Sequence, residues 1–315
     1  MKILIIGKNN IMKWPQKINA AFEQMGHSTE LFLFNRQTVG YCFWRLMGKQ
    51  RRLKWLAQKF ERKVKAFNPD LILFVSFCFI PQIFYETAGR FDCVQAAWAA
   101  DRFGKEEKPK TKHLNALFCT DTGYFKTTKN FFCPSYYLPL CVDESIAKAP
   151  VLPHSLLPFF VGVANSKRIE YLKACQTPCL IYGVGWPKDE LPQHKIHNKK
   201  ISTKQAFDFM RRSVAPINMA FSANNINGLN FRPFEIGACG GLIMVNNAKD
   251  LALCYRIGKE AVTYTTPNQF ARLINDIAQN PKKYAKIAAA GHQRTLRDHT
   301  YFARLNQMLK QLKLK

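Results

Sequence analysis

The sequence predicts an α/β protein with two domains, each built on an open parallel sheet. Short apolar runs rich in β-branched and aromatic residues alternate with helical stretches along the chain, which is the pattern of βαβ units. The chain has 315 residues, which exceeds the roughly 250–300 at which a single core usually stops growing. A proline-rich segment near the middle separates two such series.

The first series contains five predicted strands. They read KILIIG, STELFLF, PDLILFVSF, CVQAAW and ALFCTD. The first is too short to be the core of a signal peptide, so we expect a buried strand there. The longest apolar run, Leu71 to Ile80, falls short of the ~20 residues that a spanning helix requires, so we expect no membrane-spanning segment.

The predicted domain boundary lies in the stretch YYLPLCVDESIAKAPVLPHSLLP, which has no long helical period. We place the first domain at residues 1–150, the second at 151–299 and a C-terminal helix at 300–315. In the second series the predicted strands read PFFVGVAN, CLIYGVGW, APINMAF, LIMV and AVTYT. The prolines that mark the boundary are Pro139, Pro150, Pro153 and Pro158.

The chain is strongly basic, with 47 Lys and Arg against 21 Asp and Glu and a formal net charge of +26. Such a charge attracts nucleic acid, anionic lipid or phosphorylated glycan. Its most basic segment, residues 41–67, mixes cations with aromatic residues. It predicts either an amphipathic helix on an anionic membrane or a solvated helix face. The residues assigned to membrane or anion binding are Arg45, Lys49, Arg51, Arg52, Lys54, Trp55, Lys59, Arg62 and Lys63.

The cysteine and histidine spacings favour neither a disulfide framework nor a metal site. Ten cysteines are scattered without a repeated spacing, which is typical of a reducing cytoplasm. His194 and His197 lack the helical i, i+4 spacing of zinc ligands, and Cys175 and Cys179 have no second pair. The absence of G-x-G-x-x-G after the first strand disfavours a nicotinamide dinucleotide fold.

The stretch NGLNFRPFEIGACGGLIMVNN, residues 227–247, predicts a helix start that holds an anion. Pro233 suits the first helical position and Gly240 suits the left-handed residue after the helix. Free N–H groups at the helix start and the planar fork of Arg232 would attract phosphate. Glu235 would accept hydrogen bonds from sugar hydroxyls. Alternatively, Glu235 only complements the helix dipole and the glycines only allow close packing.

Polar or glycine-rich turns follow other predicted strands as well. FFVGVANSKR places Gly162, Asn165 and Arg168 after a strand, where α/β sheets bind phosphate, although the Walker spacing is missing. In IYGVGW, Gly183 and Gly185 would let a ligand approach the backbone while the following tryptophan packs on a base. An ordinary glycine turn with a buried tryptophan is the alternative reading.

Two aspartates follow predicted strands of the first domain. Asp101 in AAWAADRFG and Asp121 in FCTDTGY would lie at the sheet edge where reacting groups of such folds are found. Aspartate is also a frequent turn residue, so an ordinary turn remains the alternative for both.

The segment NFRPFEIGACGGLIMVNN resembles the donor-domain motif of group 1 glycosyltransferases, especially the spore-maturation-type subfamily, which reads R-x-F-E-x-x-A-C-G-G. PFFVGVANSKRIEYL and AAAGHQRTLRDHTYFARLNQML resemble the start and end of that domain, so the resemblance covers residues 158–309. It implies the GT-B architecture, with two Rossmann-like domains facing each other across a cleft. The C-terminal helix would return to the N-terminal domain.

The resemblance also implies roles for individual residues. Glu235 would bind the donor ribose, Arg232 and Arg168 the diphosphate, and Gly240 and Gly241 would give close backbone approach. The donor would be a nucleotide sugar, here a UDP-sugar, and neither a metal nor another cofactor would be required. The other residues assigned to donor binding are Gly162, Asn165, Gly183, Gly185, Asn227 and Asn230.

The resemblance leaves the acceptor side less defined. Asp101 is our candidate for the catalytic base, because AAWAADRFG is similar to a tryptophan-to-aspartate strand end of the subfamily. Asn227 stands where many group 1 enzymes carry a second glutamate, so the hold on the donor sugar and the stereochemical outcome stay open.

The sequence therefore predicts a metal-independent, hexosyltransferase-like enzyme that transfers a sugar to a hydroxyl acceptor. A lipid-linked or cell-envelope glycan is the expected acceptor, and the protein would be cytoplasmic, with peripheral attachment to the inner face of the membrane. Two alternatives are glycosylation of DNA, which suits the basic charge, and a non-catalytic fold that binds a membrane or partner.

Overall fold

The chain folds into two compact α/β units. The structure is a computed structural model that describes residues 1–8, 13–34, 48–147, 149–150, 152–153, 156–221, 225–246 and 248–314. Unit 1 is Met1–Pro139 with Asn224–Ile226 and Tyr301–Lys315, and unit 2 is Leu140–Ala223 with Asn227–Thr300. The division thus falls at Pro139 rather than at residue 150, and the C-terminal segment belongs to unit 1.

Unit 1 contains one six-stranded parallel sheet in the order β2-β1-β3-β4-β5-β6. Its central strands are buried on both faces, which is why they read as continuous apolar runs. The sequence analysis named the first five strands and missed β6, which has only three half-buried residues. The strands are β1 (Lys2–Gly7), β2 (Ser28–Leu33), β3 (Leu71–Val75), β4 (Val94–Ala99), β5 (Ala116–Cys119) and β6 (Ser135–Tyr137).

All strand pairs in this sheet are parallel, so the C-terminal ends of its strands lie on one edge, which we call the carboxyl edge. Short 3-10 helices follow β3 (Phe77–Phe79), precede β5 (Lys105–Thr111) and follow it (Thr122–Tyr124). The α-helices of the unit are α1 (Trp14–Gln24), α2 (Lys49–Phe67), α3 (Gln82–Ala88), α4 (Phe125–Thr128) and the C-terminal helix Tyr301–Gln311.

Helix α2 buries its apolar side in the core of unit 1. Leu56, Phe60 and Val64 recur at four-residue spacing and are buried together with Ala57. The ring of Phe60 packs edge-on against Phe84, with 5.7 Å between the ring centroids. Full burial of one such side chain contributes about 1.5–3 kcal/mol. This apolar stripe is therefore committed to the protein core and is not available to a membrane.

Unit 2 contains a three-stranded parallel sheet in the order β7-β8-β9 and a two-stranded parallel sheet, β10-β11. The predicted strand APINMAF pairs with β7 through one isolated parallel bridge, between Phe159 and Pro216. Pro216 has no N–H to donate, which limits a regular ladder there. The strands are β7 (Phe159–Val161), β8 (Leu180–Tyr182), β9 (Lys195–His197), β10 (Met244–Asn246) and β11 (Val262–Tyr264).

Side-chain caps start three helices of unit 2. Asn165 caps α6, Ser202 forms a capping box with Gln205 in α7, and Thr266 caps α10. These caps fix where the three helices begin. The helices are α5 (Glu144–Ala147), α6 (Ser166–Ala174), α7 (Thr203–Arg212), α8 (Arg232–Ala238), α9 (Leu251–Cys254), α10 (Pro267–Gln279) and α11 (Pro281–Asp298).

Candidate functional site

Every residue assigned to donor binding lies in unit 2. The first group is at the start of α6, directly after β7. Asn165 is the N-cap of this helix, and its Oδ1 accepts the Arg168 N–H at 2.9 Å. Its side chain therefore satisfies one N–H group at the start of α6, in the turn where the sequence predicted phosphate binding.

Arg168 links the start of α6 to the neighbouring extended segment. Its Nε and Nη2 donate to the Met219 carbonyl at 3.2 and 3.0 Å, and its Nη1 donates to the Val163 carbonyl at 2.6 Å. The guanidinium lies over the Phe160 ring, 5.4 Å from its centroid. Burial, and then the like charge of Arg232, lower the pKa of Arg168. Two arginines thus lie close enough to repel, a condition that an anion relieves.

Arg232 begins α8, and Pro233 occupies the next position of its first turn rather than the first position. Nη1 of Arg232 lies 3.0 Å from Oε2 of Glu235, in an ion pair whose side chains are 25% and 16% exposed. The Glu235 side chain is 16% exposed, so it is partly accessible to solvent. The ion pair holds the arginine in place and also puts a carboxylate in the first helical turn.

The two glycines after α8 have structural reasons to be there. Gly240 has φ +77°, and its N–H and that of Gly241 bond to the carbonyls of Gly237 and Ile236, which is a Schellman helix end. A Cβ on Gly241 would lie 2.7 Å from Cγ of Pro216. Helix termination and packing account for both glycines, so neither is by itself a sign of a ligand.

The glycine turn after β8 also packs tightly on protein. Gly183 has φ +145°, and a Cβ there would lie 1.8 Å from the Gly162 carbonyl oxygen. The indole of Trp186 is 3% exposed and donates to that same oxygen at 3.0 Å. The structure therefore favours the buried tryptophan over an indole that packs on a base. Gly185, at φ +81°, is in the left-handed region that favours glycine.

Two amide side chains lie near the arginines: Asn230 is two residues before Arg232, and Asn218 precedes Met219, whose carbonyl accepts from Arg168. Nδ2 of Asn230 donates to Oδ1 of Asn218 at 3.1 Å, while the Asn218 Nδ2 and the Asn230 Oδ1 are buried without a partner among the described residues. Each unsatisfied atom costs about 1–3 kcal/mol. Asn218 is not among the site residues that the sequence predicted. Its polar side chain inside the apolar run APINMAF was the signal.

Asn227, the departure from the family motif, is half-buried, and its carbonyl accepts the Asp250 N–H at 3.0 Å. This bond fixes the backbone at the start of the loop that leads to α8.

Asp101 and Asp121 both lie at the carboxyl edge of unit 1 but differ in role. Asp121 is 2% exposed and accepts the N–H groups of Gly123 and Ile226, each at 2.7 Å. It therefore holds two loops together. Asp101 is half-buried, and burial raises its pKa. A carboxyl whose pKa is raised toward neutrality is better suited to general-base catalysis.

Asp101 belongs to a small group of titratable side chains. Burial, followed by the charges of Asp101 and Glu107, raises the pKa of Cys78 to about 11. Burial, followed by the charges of Asp121 and Asp101, also raises the pKa of Tyr124. Asp101 therefore lies near both groups, on the edge where α/β sheets carry their reacting groups.

The basic segment is helix α2 from Lys49 onward, whereas Arg45 lies outside the described residues. Trp55 is half-buried, with Nζ of Lys59 3.8 Å above its ring. Lys63 pairs with Glu30. Arg52 is half-buried, and the exposed cations of the helix include Lys49, Arg51, Lys54 and Arg62.

Three further features concern membrane spans, thiols and metal ligands in the described part of the chain. None of its helices combines the length and apolarity needed to cross a bilayer. Its cysteines are free thiols. It holds no group of three His, Cys, Asp or Glu residues placed to bind a metal ion.

Comparison with known proteins gives one family and many solved structures. Residues 164–310, just under half of the chain, match the model of a family described as glycosyl transferase-like. This range contains Asn165, Arg168 and the α8 motif with Arg232 and Glu235. A search of the curated proteins gave no match.

The similar solved structures cover nearly all of the chain. A glycosyltransferase from Rickettsia africae is 11% identical with a TM-score of 0.74, covering 99% of this chain and 97% of that one. Sucrose-phosphate synthase from Thermosynechococcus elongatus is 10% identical with a TM-score of 0.69, covering 99% and 98%. Anabaena Alr3699/HepE, solved in complex with UDP and glucose, is 12% identical with a TM-score of 0.67, covering 99% of each chain.

These similarities confirm the predicted fold class, the α/β fold of the GT-B glycosyltransferases with parallel sheets. The identities are far too low to carry individual residue roles from those proteins. They also do not distinguish the spore-maturation-type subfamily from other GT-B enzymes, so that resemblance stays a prediction.

Replacing Gly183 with alanine should destabilise unit 2 strongly. The change forces a strained φ, at about 1–3 kcal/mol, and a Cβ that collides with the Gly162 carbonyl. Gly258→Ala is the matched control, because Gly258 has φ +79° with no atom within 4 Å of the added Cβ. We expect thermal unfolding to show a larger loss for Gly183→Ala. Equal losses would contradict the close approach of the two turns.

Proposed function

We propose that the protein is a glycosyltransferase that moves a sugar from a nucleotide diphosphate donor to a hydroxyl acceptor. The observation that carries this proposal is the Arg168 and Arg232 pair with Glu235 at the start of α8, inside the range that matches the glycosyl transferase-like family. An anion relieves the repulsion between the arginines, and a diphosphate supplies that anion.

In this proposal the arginines act on the leaving group. The acceptor oxygen forms a bond to the anomeric carbon, while the bond between that carbon and the diphosphate oxygen breaks. The diphosphate leaves with the electron pair, and Arg168 and Arg232 stabilise its growing charge. Asp101 of unit 1 accepts the proton from the acceptor hydroxyl. Because the arginines are already in place, little reorganisation is needed during the reaction.

The donor we propose is a UDP-sugar, with Oε1 of Glu235 accepting a hydrogen bond from a ribose hydroxyl. Solved complexes of a similar protein with UDP and with UDP-glucose support this choice. The acceptor we propose is a lipid-linked or cell-envelope glycan. We propose that the reaction requires no metal ion.

Arg232→Ala and Glu235→Ala should weaken donor binding, because each removes a charged group from the proposed site. The loss of one charge-assisted hydrogen bond, about 1.5–3 kcal/mol, corresponds to roughly 10- to 100-fold in affinity. The measurement is thermal stabilisation and calorimetric binding with UDP-, GDP- and ADP-sugars, followed by transfer or donor hydrolysis.

Lys167→Ala is the matched control for these variants. Lys167 is next to Arg168, but its side chain is 64% exposed and pairs with Glu170. We expect it to bind donor as the wild type does. Undiminished activity in both Arg232→Ala and Glu235→Ala would refute this site. A wild type that no nucleotide sugar stabilises would instead favour a non-catalytic fold.

Asp101→Asn should lower kcat by about 10²- to 10⁴-fold, the usual contribution of a general base. The wild-type rate should fall with decreasing pH as Asp101 is protonated. Since burial raises its pKa, this fall should begin above the pH expected of an ordinary aspartate, whose pKa is about 3.9. Asp92→Asn, at an exposed position, serves as the control.

The same variant has an expected sign in stability. A raised carboxyl pKa favours the folded state fully below the unfolded pKa, and this contribution is lost as the pH rises through the folded pKa. Asp101→Asn cannot ionise, so it should unfold at a higher temperature than the wild type at pH 7 and at a similar one in acid. A variant that is less stable at pH 7 would assign Asp101 a structural role.

We also propose that the exposed cations of α2 bind an anionic membrane surface. Its apolar side chains are buried in unit 1, so binding would rest on charge, at about 1 kcal/mol per Lys or Arg near the surface. Vesicles with anionic lipid should therefore float the protein at low salt and release it at high salt. Replacement of Lys49, Arg51 and Lys54 by glutamate should remove most of this binding.

The control for charge alone is a triple variant in unit 2 with the same change in net charge. Lys195, Lys199 and Lys200 are exposed and suit this purpose, and their replacement by glutamate should leave flotation largely intact. Equal losses would show that only net charge matters. Binding that resists salt would contradict a purely electrostatic contact, and transfer to duplex DNA would favour the nucleic acid acceptor instead.

A further inference from the structure

An exposed aromatic ring lies at the carboxyl edge of unit 1. Phe79 is 52% exposed and ends the short 3-10 helix that follows β3. Single exposed apolar residues are common on protein surfaces, so exposure alone indicates nothing. The turn that carries Phe79 has further properties that set it apart.

Hydrogen bonds fix three successive carbonyls of this turn. The Ser76 carbonyl accepts the Phe79 N–H at 3.0 Å, and the Tyr85 hydroxyl donates to the Phe77 carbonyl at 3.0 Å. Nζ of Lys110 donates to the Cys78 carbonyl at 3.1 Å. The ring of Phe79 is thus held on a rigid support even though much of it faces solvent.

The turn also begins with a strained residue. Ser76 is buried and has φ +68°, in the left-handed region that an L-residue enters at a cost of about 1–2 kcal/mol. Such residues persist where the surroundings fix them, and they occur often at functional sites. Here the strained residue directs the chain from β3 into the turn that exposes Phe79.

One charged group lies against the ring, and another lies near the turn. Nζ of Lys8 lies over the Phe79 ring, 5.9 Å from its centroid. The turn begins beside the end of β4, because the Ser76 N–H donates to the Trp98 carbonyl at 3.0 Å, and Asp101 is the second residue after that strand. An apolar face therefore lies beside a cation and near the candidate base.

We propose that Phe79 binds the acceptor by stacking against the C–H face of a sugar ring, with an acceptor hydroxyl directed to Asp101. A pyranose has an apolar face of C–H groups and a rim of hydroxyls, which matches an aromatic ring bordered by charged groups. The acceptor is then a saccharide. This inference rests on the proposed function and extends it to the acceptor.

Phe132 provides a matched control within the same unit. It is 61% exposed, and Nζ of Lys108 lies 4.6 Å from its ring centroid. Phe132 precedes β6, so it lies toward the opposite edge of the parallel sheet from Phe79 and Asp101. It reproduces the exposed ring and the lysine without the position at the carboxyl edge.

The experiment measures transfer to maltose, cellobiose and lactose, with the UDP-sugar that stabilises the wild type most. We expect Phe79→Ala to raise the KM for the disaccharide about tenfold, which is 1.4 kcal/mol, with a smaller change in kcat. Phe79→Trp should restore a low KM, because it keeps an aromatic face. Phe132→Ala should match the wild type.

Equal KM values for Phe79→Ala and Phe132→Ala would overturn the inference. So would a wild type that hydrolyses its donor but accepts none of these sugars, whether it instead glycosylates a lipid without sugar, a peptide or DNA. In that case the proposed function would still stand. A wild type that neither binds nor hydrolyses any UDP-, GDP- or ADP-sugar would defeat the proposed function, and the inference with it.

Discussion

The contact between the Arg168 guanidinium and the Met219 carbonyl is the constraint on which the candidate donor site depends. Two N–H groups of Arg168 share this one oxygen, and a third bonds to the Val163 carbonyl. These bonds hold a partly buried cation beside Arg232 despite their mutual repulsion. The protein thus keeps two like charges close together by means of backbone carbonyl acceptors. These carbonyls do not change protonation with pH.

Arg232 is held by a different kind of partner. Its ion pair with Glu235 lies within a single helical turn, so the carboxylate stabilises the arginine without reaching across to Arg168. Glu235 offsets part of the positive charge and leaves the pair of arginines with a net excess. A bound anion gains from that excess, and a group that already carries its hydrogen bonds needs little rearrangement when charge develops on the anion.

The sequence predicted the elements well where the signal was local. The apolar runs of β1 and β3 depend on neighbouring residues only. Long-range contacts were harder to predict from the sequence. Gly183 and Gly241 resemble ligand-binding glycines in sequence, yet the atoms that require them are the Gly162 carbonyl and Pro216. Such pairings depend on the fold and cannot be deduced from spacing.

Helix α2 illustrates the same limit on a larger scale. An amphipathic pattern indicates that one face is buried, but not whether protein or lipid covers it, and Leu56, Phe60 and Val64 are covered by protein. Asn218 shows the opposite case, since a buried polar residue in an apolar run is a signal that chain periodicity ignores. Within the described residues, its amide nitrogen and the oxygen of Asn230 lack hydrogen-bond partners, a property that depends on the fold rather than on the chain pattern.

The two units carry strain in places that suit different tasks. In unit 2 the unfavourable term is electrostatic, because Arg168 and Arg232 repel, and an anionic ligand offsets it directly. In unit 1 it is conformational and solvational, because Ser76 has a positive φ and Asp101 is partly buried. A neutral ligand that bears hydroxyl groups offsets neither the strain at Ser76 nor the burial of Asp101. In the proposed reaction such a ligand would cover the exposed ring of Phe79 and donate its hydroxyl proton to Asp101, which are the properties of an acceptor rather than of a donor.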